Sequence, residues 1–485
     1  MTQPLLIRNA TVIASHDAAP DTADILIEGD TIAAVGPGLS REGARVTEAA
    51  GLMALPGLVN AHTHSPLAPV QGAYDTLNHR SCMWLFQAYT KNRTPREVYL
   101  SALKNAAEML MSGTTAVLDH FPEQNFEIED VEAVVQAYRD TGMRAVIALR
   151  IFDGEYTDIF PVRGQLDNAL TDELHRMNPL APRPLSETRA VCEEAIRRFD
   201  GLDDGRIRIL PAPSNPMRCS DALLEMCVEL RDTYGVGIHC HLLETYIQTE
   251  IAQRRYGRTM VRHLDHLGLL DHRFSSAHTI WLDEDDIALL AERGAVPVHN
   301  PESNTRGGSG VMPTPAMLKA GVEVAIGSDG SCSGGAQLLQ RAMYLATMLH
   351  RRPDVPPEAR VTARDALRMG TVGGAKAMLG GDRFGRIAPG QKADLALYRI
   401  AGQHWERSVD PVASFVAQEY GQSLTASMVD GRWLVQDGRI LSYDWDTARA
   451  ELMAALPVMR KRNAALFDLT GRLATAVLAG GQGPL

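Results

Sequence analysis

Pro56-Gly57-Leu58-Val59-Asn60-Ala61-His62-Thr63-His64 is an apolar run that ends in two histidines at positions i and i+2. Side chains two apart on a strand share a face, so both imidazoles can reach a single ion at the strand's end. Alone, the pair is weak evidence: 15 histidines in 485 residues give about 0.5 His-x-His pairs by chance, and His239-Cys240-His241 is indeed a second one. Its weight comes from what surrounds it.

Short apolar runs recur at Met53 to Val59, Thr114 to Leu118, Arg144 to Leu149, Ile207 to Ala212, Val236 to His241, Phe274 to His278, Ala295 to Val298 and Glu323 to Ile326, with helical stretches between them. Eight such strands predict an α/β fold of the (β/α)8 TIM-barrel kind. The helices follow by period: in Pro95 to Ser112, Val98, Leu103, Ala106, Ala107 and Leu110 share a face, and Gly113 stops the run. An open doubly wound sheet fits the same count, but no Gly-rich phosphate fingerprint follows an early strand, which favours the barrel. Barrel enzymes place their active sites at the C-terminal ends of the strands. There His241 ends the fifth strand, His278 the sixth, and Asp329, in Ile326-Gly327-Ser328-Asp329-Gly330, the eighth. With His62 and His64, four histidines and one aspartate converge from four strands.

Two β-rich segments bracket this barrel. Residues 4 to 50 carry turns such as Glu28-Gly29-Asp30, and residues 385 to 442 are punctuated by Gly385, Pro389-Gly390, Asp430-Gly431 and Asp437-Gly438. Neither is long enough for a sandwich of its own, so the two are expected to combine into one composite β-sandwich domain. The predicted division is residues 1–55 and 385–445 for that domain, 56–384 for the barrel, and 446–485 for a terminal helical region ending in a Gly-rich tail from Gly480.

A net charge of -11 and a pI near 5.8, without any block of Lys or Arg, argue against a nucleic-acid partner and for a small-molecule substrate. The N-terminus alternates apolar and polar residues around Leu5, Ile7, Val12 and Ile13, which reads as strand rather than signal peptide. No stretch approaches the roughly 18 uninterrupted apolar residues of a membrane span, and a cytoplasmic protein without membrane contact is expected. Cys82, Cys192, Cys219, Cys227, Cys240 and Cys332 form no Cys-x-x-Cys pair, which fits reduced thiols and excludes a zinc ribbon.

Taken in order, the motifs resemble the amidohydrolase superfamily, in its branch of mononuclear aminohydrolases that includes methylthioadenosine/S-adenosylhomocysteine, guanine and cytosine deaminases and triazine hydrolases. The resemblance runs through nearly the whole chain. It is carried by Pro-Gly-Leu-Val-Asn-Ala-His-Thr-His at 56 to 64, Ser-Gly-Thr-Thr at 112 to 115, His-Leu-Leu-Glu-Thr at 241 to 245, His278, His-Asn-Pro-Glu-Ser-Asn at 299 to 304, Gly-Ser-Asp-Gly at 327 to 330, and Gly-Arg-Ile-Ala-Pro-Gly-Gln-Lys-Ala-Asp-Leu at 385 to 395. It implies His62, His64, His241 and Asp329 as ligands of one divalent metal, Glu244 as proton shuttle, His278 as the residue that polarises or orients the electrophile, and a homo-oligomer, dimer or higher.

The chemistry of those side chains agrees. Neutral imidazoles and a carboxylate suit zinc, or iron or another first-row ion. Such an ion lowers the pKa of bound water to roughly 7, and Glu244 and Asp329 are the groups to move protons while the resulting hydroxide attacks an sp² carbon. The implied function is hydrolytic deamination of a nitrogen heterocycle. The same site chemistry also serves dechlorination, N-dealkylation, and hydrolysis of an amide, carbamate or urea. A superfamily member turned structural or assembly partner is the reading from another class; loss of ligands would mark it, and all of these residues are present. A nucleic-acid-editing deaminase would carry His-x-Glu and Pro-Cys-x-x-Cys, which are absent.

Departures from the family pattern bear on the substrate. No Lys ends the fourth strand, Arg206 to Pro213, so a carbamylated-lysine binuclear centre is not supported. Gln71-Gly72 stands where many nucleoside deaminases of the branch carry Arg-Gly, and Trp84-Leu85-Phe86-Gln87-Ala88-Tyr89 lacks the acidic residue they use for a ribose, which counts against an adenosine-type substrate. Pro213 to Ser220 replaces a segment with Pro-Tyr, and Thr305-Arg306-Gly307-Gly308 replaces Leu-Lys-Leu; both fall on loops over the pocket. Candidate pocket residues are therefore Gln71, Trp84, Asn215, Arg218, His299, Asn304 and Arg306.

The plainer readings of single residues are these. His239 is a hydrogen-bonded barrel-interior histidine, and His299 lies behind the ligands as support. His79, His120, His263, His266, His272 and His350 are surface or helix residues, His120 being the best exception because it follows the second strand. Cys332 lines the pocket or fills a buried apolar position, and the bland role for Glu244 is a helix-start carboxylate.

Overall fold

The computed structural model describes residues 3–72, 79–155, 167–178, 180–351, 353, 355–403 and 406–479. The N-terminal segment forms β1 (Leu5–Val12), β2 (Asp21–Glu28), β3 (Thr31–Gly36), β4 (Arg45–Glu48) and β5 (Leu52–Pro56). The apolar run at 53 to 59 is not one strand, as the sequence suggested. It breaks at Gly57, so that β5 joins the sheet of the end segments and β6 (Leu58–Thr63) starts the barrel. Gly57 N donates to Asp394 O at 3.0 Å and Leu58 N to Gly113 O at 3.1 Å, so hydrogen bonding passes from one sheet to the other across this residue.

The crossing is tight. A Cβ on residue 57 would lie 2.0 Å from Thr115 Oγ1 and 2.5 Å from its Cγ2. Gly57→Ala is therefore expected to destabilise the protein by about 1–3 kcal/mol, the usual cost of overpacking a filled site. Calorimetry on the purified variant checks this; an unchanged Tm would mean that Thr115 turns aside freely.

The barrel strands continue with β7 (Thr114–Phe121), β8 (Arg144–Ile151), β9 (Ile207–Pro213), β10 (Ile238–Leu242), β11 (Phe274–His278), β12 (Val296–His299) and β13 (Ala325–Ile326). β6 to β9 form one four-stranded parallel sheet and β10 to β13 another, each in sequence order. The sheets meet at both seams: His241 N donates to Ser214 O at 3.4 Å, and Asp329 N to His62 O at 3.0 Å. Every residue of β6, β7 and β8 is buried. Parallel strands covered on both faces need no polar side, which is why they read as continuous apolar runs. The helix expected from Pro95 spans Pro95–Leu110, with Thr94 and Glu97 forming a capping box, and Gly113 ends the connection at φ +89°.

The C-terminal segment supplies β14 (Leu395–Arg399), β15 (Leu424–Val429), β16 (Arg432–Gln436) and β17 (Arg439–Ile440). β14 pairs antiparallel with β5, Leu395 opposite Pro56 and Leu397 opposite Ala54. The two ends of the chain thus share one nine-stranded sheet, with its own apolar core of Ile7, Ile25, Ile27, Leu395, Leu397 and Met428. A buried charge cluster ties this sheet to the barrel. Arg144, the first residue of β8, donates from Nε and Nη2 to Asp394 at 2.8 and 3.1 Å and from Nη2 to Asp430 at 2.6 Å.

The last segment forms helices Trp445–Arg462 and Ala464–Ala479. Between them, Asn463 donates to Ala88 O at 2.9 Å and Lys91 O at 2.7 Å, and Phe467 packs edge-on against Tyr89. These contacts buttress the helix His79–Thr90, which carries Met83 and Phe86 to the cavity described below. The tail from Gly480 lies outside the described residues. Among the described residues no helix is long and apolar enough to cross a membrane.

Candidate metal centre

His62 on β6 and His64 just past its end project to one side, as their spacing requires, and meet His241 from β10, His278 from the end of β11 and Asp329 from the loop after β13. His64 Nε2 lies 3.2 Å from His241 Nε2, and Asp329 Oδ1 lies 3.5 Å from His64 Nε2 and 3.8 Å from His62 Nε2. Asp329 takes φ +58°, a conformation that costs an aspartate roughly 1–3 kcal/mol. Its carbonyl accepts from Thr63 Oγ1 at 3.1 Å and Gln337 Nε2 at 2.9 Å, which holds the residue there.

The partners of the other ring nitrogens decide what the three histidines offer. His241 Nδ1 lies 2.7 Å from Ser214 O, a carbonyl that only accepts, so Nδ1 carries the proton and Nε2 keeps its lone pair. His64 Nδ1 stands 2.8 Å from Glu123 Oε1, an ion-pair contact. His62 Nδ1 is 2.9 Å from His239 Nε2, whose own Nδ1 is 2.8 Å from Ser275 Oγ, and His62 Nε2 has no partner among the described residues. The Nε2 atoms of His64 and His241 lie 3.2 Å apart beside an orphaned His62 Nε2 and a carboxylate oxygen.

That arrangement attracts positive charge. Burial holds His62 and His241 well below the ordinary imidazole range, so both are neutral. Burial works against charge on His64 too, but the carboxylates of Glu123 and Asp329 outweigh it and raise its pKa. For Asp329 burial favours the neutral acid, and His64 and His278 outweigh it, pushing the pKa down to about 2. Donor atoms of His62, His64 and Asp329 lie within 4.8 Å of one another, and these residues fit a divalent cation.

Across the cavity, Asn304 Oδ1 lies 2.7 Å from His278 Nδ1, which turns His278 Nε2 toward Glu244 Oε1 at 3.8 Å. Glu244 lines the cavity three residues before the helix Ile247–Tyr256 begins. Asn215 and Arg218 line it as well. Arg218 is buried, lies over the Phe152 ring at 3.4 Å, and donates to Gly154 O and Leu180 O.

Other candidates sit elsewhere. Gln71 is exposed and donates to Glu108 at 3.2 Å. Trp84 is buried in the main core on the far side of its helix, and Arg306 is exposed. His299 is fully buried, with neither ring nitrogen partnered among the described residues, and is not a cavity wall. The helix His79–Thr90 and the helix Pro301–Gly307 each turn a different face to the cavity, through Met83, Phe86 and Ser303.

His120 is the clearest correction. It is neither a surface nor a helix residue: β7 runs on to Phe121, which carries His120 inside, its ring 4.5 Å from that of His241. Both its nitrogens lack partners among the described residues, and its donor atom groups with those of His62 and His241 within 4.8 Å, as those of His62, His64 and Asp329 do. Of the remaining histidines, His263 is buried on its helix against Asp221, His266 and His272 are exposed, His350 is half-buried, and the side chain of His79 lies outside the described residues. Cys332 is a buried cavity wall beside Leu67, Met83 and Phe86, and burial pushes its thiol well above the usual range.

Glu123 and Arg150 escaped the sequence reading altogether. The available signal was a carboxylate just past a strand end, in Phe121-Pro122-Glu123, and a cation, Arg150, near the end of a strand whose residues between Arg144 and Arg150 are all apolar.

The model of the amidohydrolase family matches residues 53–434. The chain belongs to the amidohydrolase family. It is, accordingly, a metal-dependent hydrolase. Among curated relatives, it is 32% identical over 434 residues to the 5-methylthioadenosine/S-adenosylhomocysteine deaminase of Syntrophobacter fumaroxidans, covering 88% of this chain and 91% of that one. It is 30% identical over 449 residues to the 5'-deoxyadenosine deaminase of Methanosarcina mazei, covering 91% and 94%. Among solved amidohydrolase structures, it matches the atrazine chlorohydrolase of Arthrobacter aurescens TC1 complexed with zinc at TM-score 0.83 and 27% identity, over 93% of this chain and all of that one. An adenosine deaminase from Xanthomonas campestris with bound zinc matches at TM-score 0.80 and 26% identity, over 95% and 98%.

Proposed function

We propose that this amidohydrolase hydrolytically deaminates a nitrogen heterocycle, with one divalent metal held by His62, His64, His241 and Asp329. The observation that carries the reading is the convergence of three imidazole Nε2 atoms and one carboxylate oxygen, two of the rings with an oxygen facing Nδ1 and the third backed by His239. We read the two four-stranded sheets as one eight-stranded barrel with this centre at its C-terminal mouth. Zinc is the expected ion, since two relatives with this fold hold it, and nitrogen and oxygen ligands also admit iron or another first-row metal. When bound, such an ion supplies Lewis acidity and a hydroxide nucleophile at neutral pH.

The protein's own groups do the rest. Glu244, on the cavity wall, moves a proton to the ring nitrogen or to the leaving group. His278 is oriented by Asn304 so that Nε2 faces the cavity, where it polarises or orients the electrophile. Leu67, Met83 and Phe86 form an apolar wall and Asn215, Gln248 and Ser303 a polar one, which suits a flat polar ring. The likeness to the atrazine chlorohydrolase favours a second reading, displacement of a chloride or alkylamine from such a ring. Both readings are for a small-molecule substrate, with assembly into a dimer or higher homo-oligomer.

The test is metal analysis of the purified protein followed by ammonia release over a panel of purines, pyrimidines, pterins and triazines. One equivalent of metal is expected, with ammonia release abolished by a chelator and restored by zinc. Bound metal without ammonia from any heterocycle moves the assignment to dechlorination, N-dealkylation or amide, carbamate or urea hydrolysis; absence of metal removes the ligand assignment.

A further inference from the structure

We infer that the buried pair Glu123–Arg150 is a positioning device of the metal centre, Glu123 orienting His64 and Arg150 holding the acceptors behind both His64 and His241. This rests on the ligand set proposed above. Glu123, in the turn after β7, is buried and places Oε1 2.8 Å from His64 Nδ1. Its Oε2 lies 3.2 Å from Arg150 Nη1, and the same guanidinium donates to Glu123 O. From its other side, Arg150 Nε donates to Ser214 Oγ at 2.9 Å, and it is the carbonyl of Ser214 that receives His241 Nδ1 at 2.7 Å. One arginine on β8 therefore spans from the end of β7 to the end of β9 and ties down the two residues whose oxygens face Nδ1 of His64 and His241.

A purely structural ion pair is a poor explanation of this geometry. Burying two charges is costly, and an apolar pair would join the strands as well. The β7–β8 and β8–β9 ladders are already continuous in register as far as Phe121 and Pro213. Each Glu123 oxygen has its own use, one on Arg150 and one on His64. Of the three ligand histidines, His64 alone is backed by an anion; His62 is backed by His239 and His241 by a carbonyl. A carboxylate behind an imidazole makes it a more basic ligand and fixes the ring's orientation.

The experiment compares the full-length wild type with Glu123→Gln, reading zinc affinity by competition with a chromophoric chelator and, separately, the Tm of the metal-free proteins. Glu123→Gln keeps size and removes the charge, so zinc should bind about 10–100-fold more weakly, and the metal-free Tm should fall as well, because Arg150 is left without its buried counter-charge. Wild type that binds no zinc overturns the ligand assignment itself. Tight zinc in wild type with unchanged affinity in Glu123→Gln overturns this inference alone, as does a lowered metal-free Tm at unchanged affinity, the mark of a structural ion pair. Should Glu123→Gln fail to fold, Glu123→Asp decides: it keeps the charge but withdraws the carboxylate from Nδ1, and unchanged zinc affinity in that variant overturns the inference.

Discussion

Glu244→Gln is expected to lower kcat on the best heterocycle of the panel by about 10³-fold, within the range that general acid–base groups contribute, while the metal content stays at one equivalent. The side chain lines the cavity 3.8 Å from His278 Nε2 and belongs to neither group of clustered metal-donor atoms. Losing its carboxylate removes a proton carrier without removing a ligand. Asp329→Asn should behave differently: Asp329 Oδ1 groups with the donor atoms of His62 and His64, so that variant should lose metal as well as turnover. Steady-state kinetics beside metal analysis separates the two. A Glu244→Gln enzyme with kcat within tenfold of wild type, at full metal content, would end the proton-shuttle role and leave Glu244 as a carboxylate near the start of a helix.

Arg144→Ala should cost about 3–5 kcal/mol of stability, because removing one partner of a buried ion pair strands the others. The guanidinium is the counter-charge of both Asp394 and Asp430, and Asp394 Oδ1 also accepts from Asp430 N at 2.8 Å. One cluster thus joins the first residue of β8 to residues flanking β14 and β15, so its loss should loosen the nine-stranded sheet from the barrel. Denaturant unfolding of Arg144→Ala, Asp394→Asn and the double variant tests the coupling. The double variant should lose less than the sum of the single losses; additive losses would show that the two side chains act independently. The cluster also gives a physical reason for Ala-Asp-Leu at 393 to 395, which the sequence marks only as a motif: Asp394 pins the returning chain, and its carbonyl receives Gly57 N at the crossing into the barrel.

Much of the candidate site was legible before any coordinates. His62, His64, His241, His278 and Asp329 stand at or just past the C-terminal ends of strands whose apolar runs are visible by eye, and a period of two puts His62 and His64 on one side. Gly57 lies close to the division expected at 55/56, and the eight strands were countable because buried parallel strands leave continuous apolar runs. The strand bounds were less legible. β5 and β6 merge into one run because a glycine between two apolar strands leaves no polar mark, and β7 looked shorter because Asp119 and His120 are polar yet buried.

What the sequence by itself determined, then, is the α/β class and the strand-end placement of His62, His64, His241, His278 and Asp329, because strand ends and i, i+2 spacing are local properties. What only the tertiary structure decided is which other residues join them. His62 and His239 face each other across 177 residues of sequence, and His120, Glu123 and Arg150 gain their places from rings and carboxylates on other strands. Trp84 and Gln71 lost theirs for the same reason: a helix or loop near a pocket turns only part of its surface toward it, and which part is set by what packs behind, here the C-terminal helices against His79–Thr90. A buried charge is explained by what it faces, and that is fixed when the two parallel sheets meet.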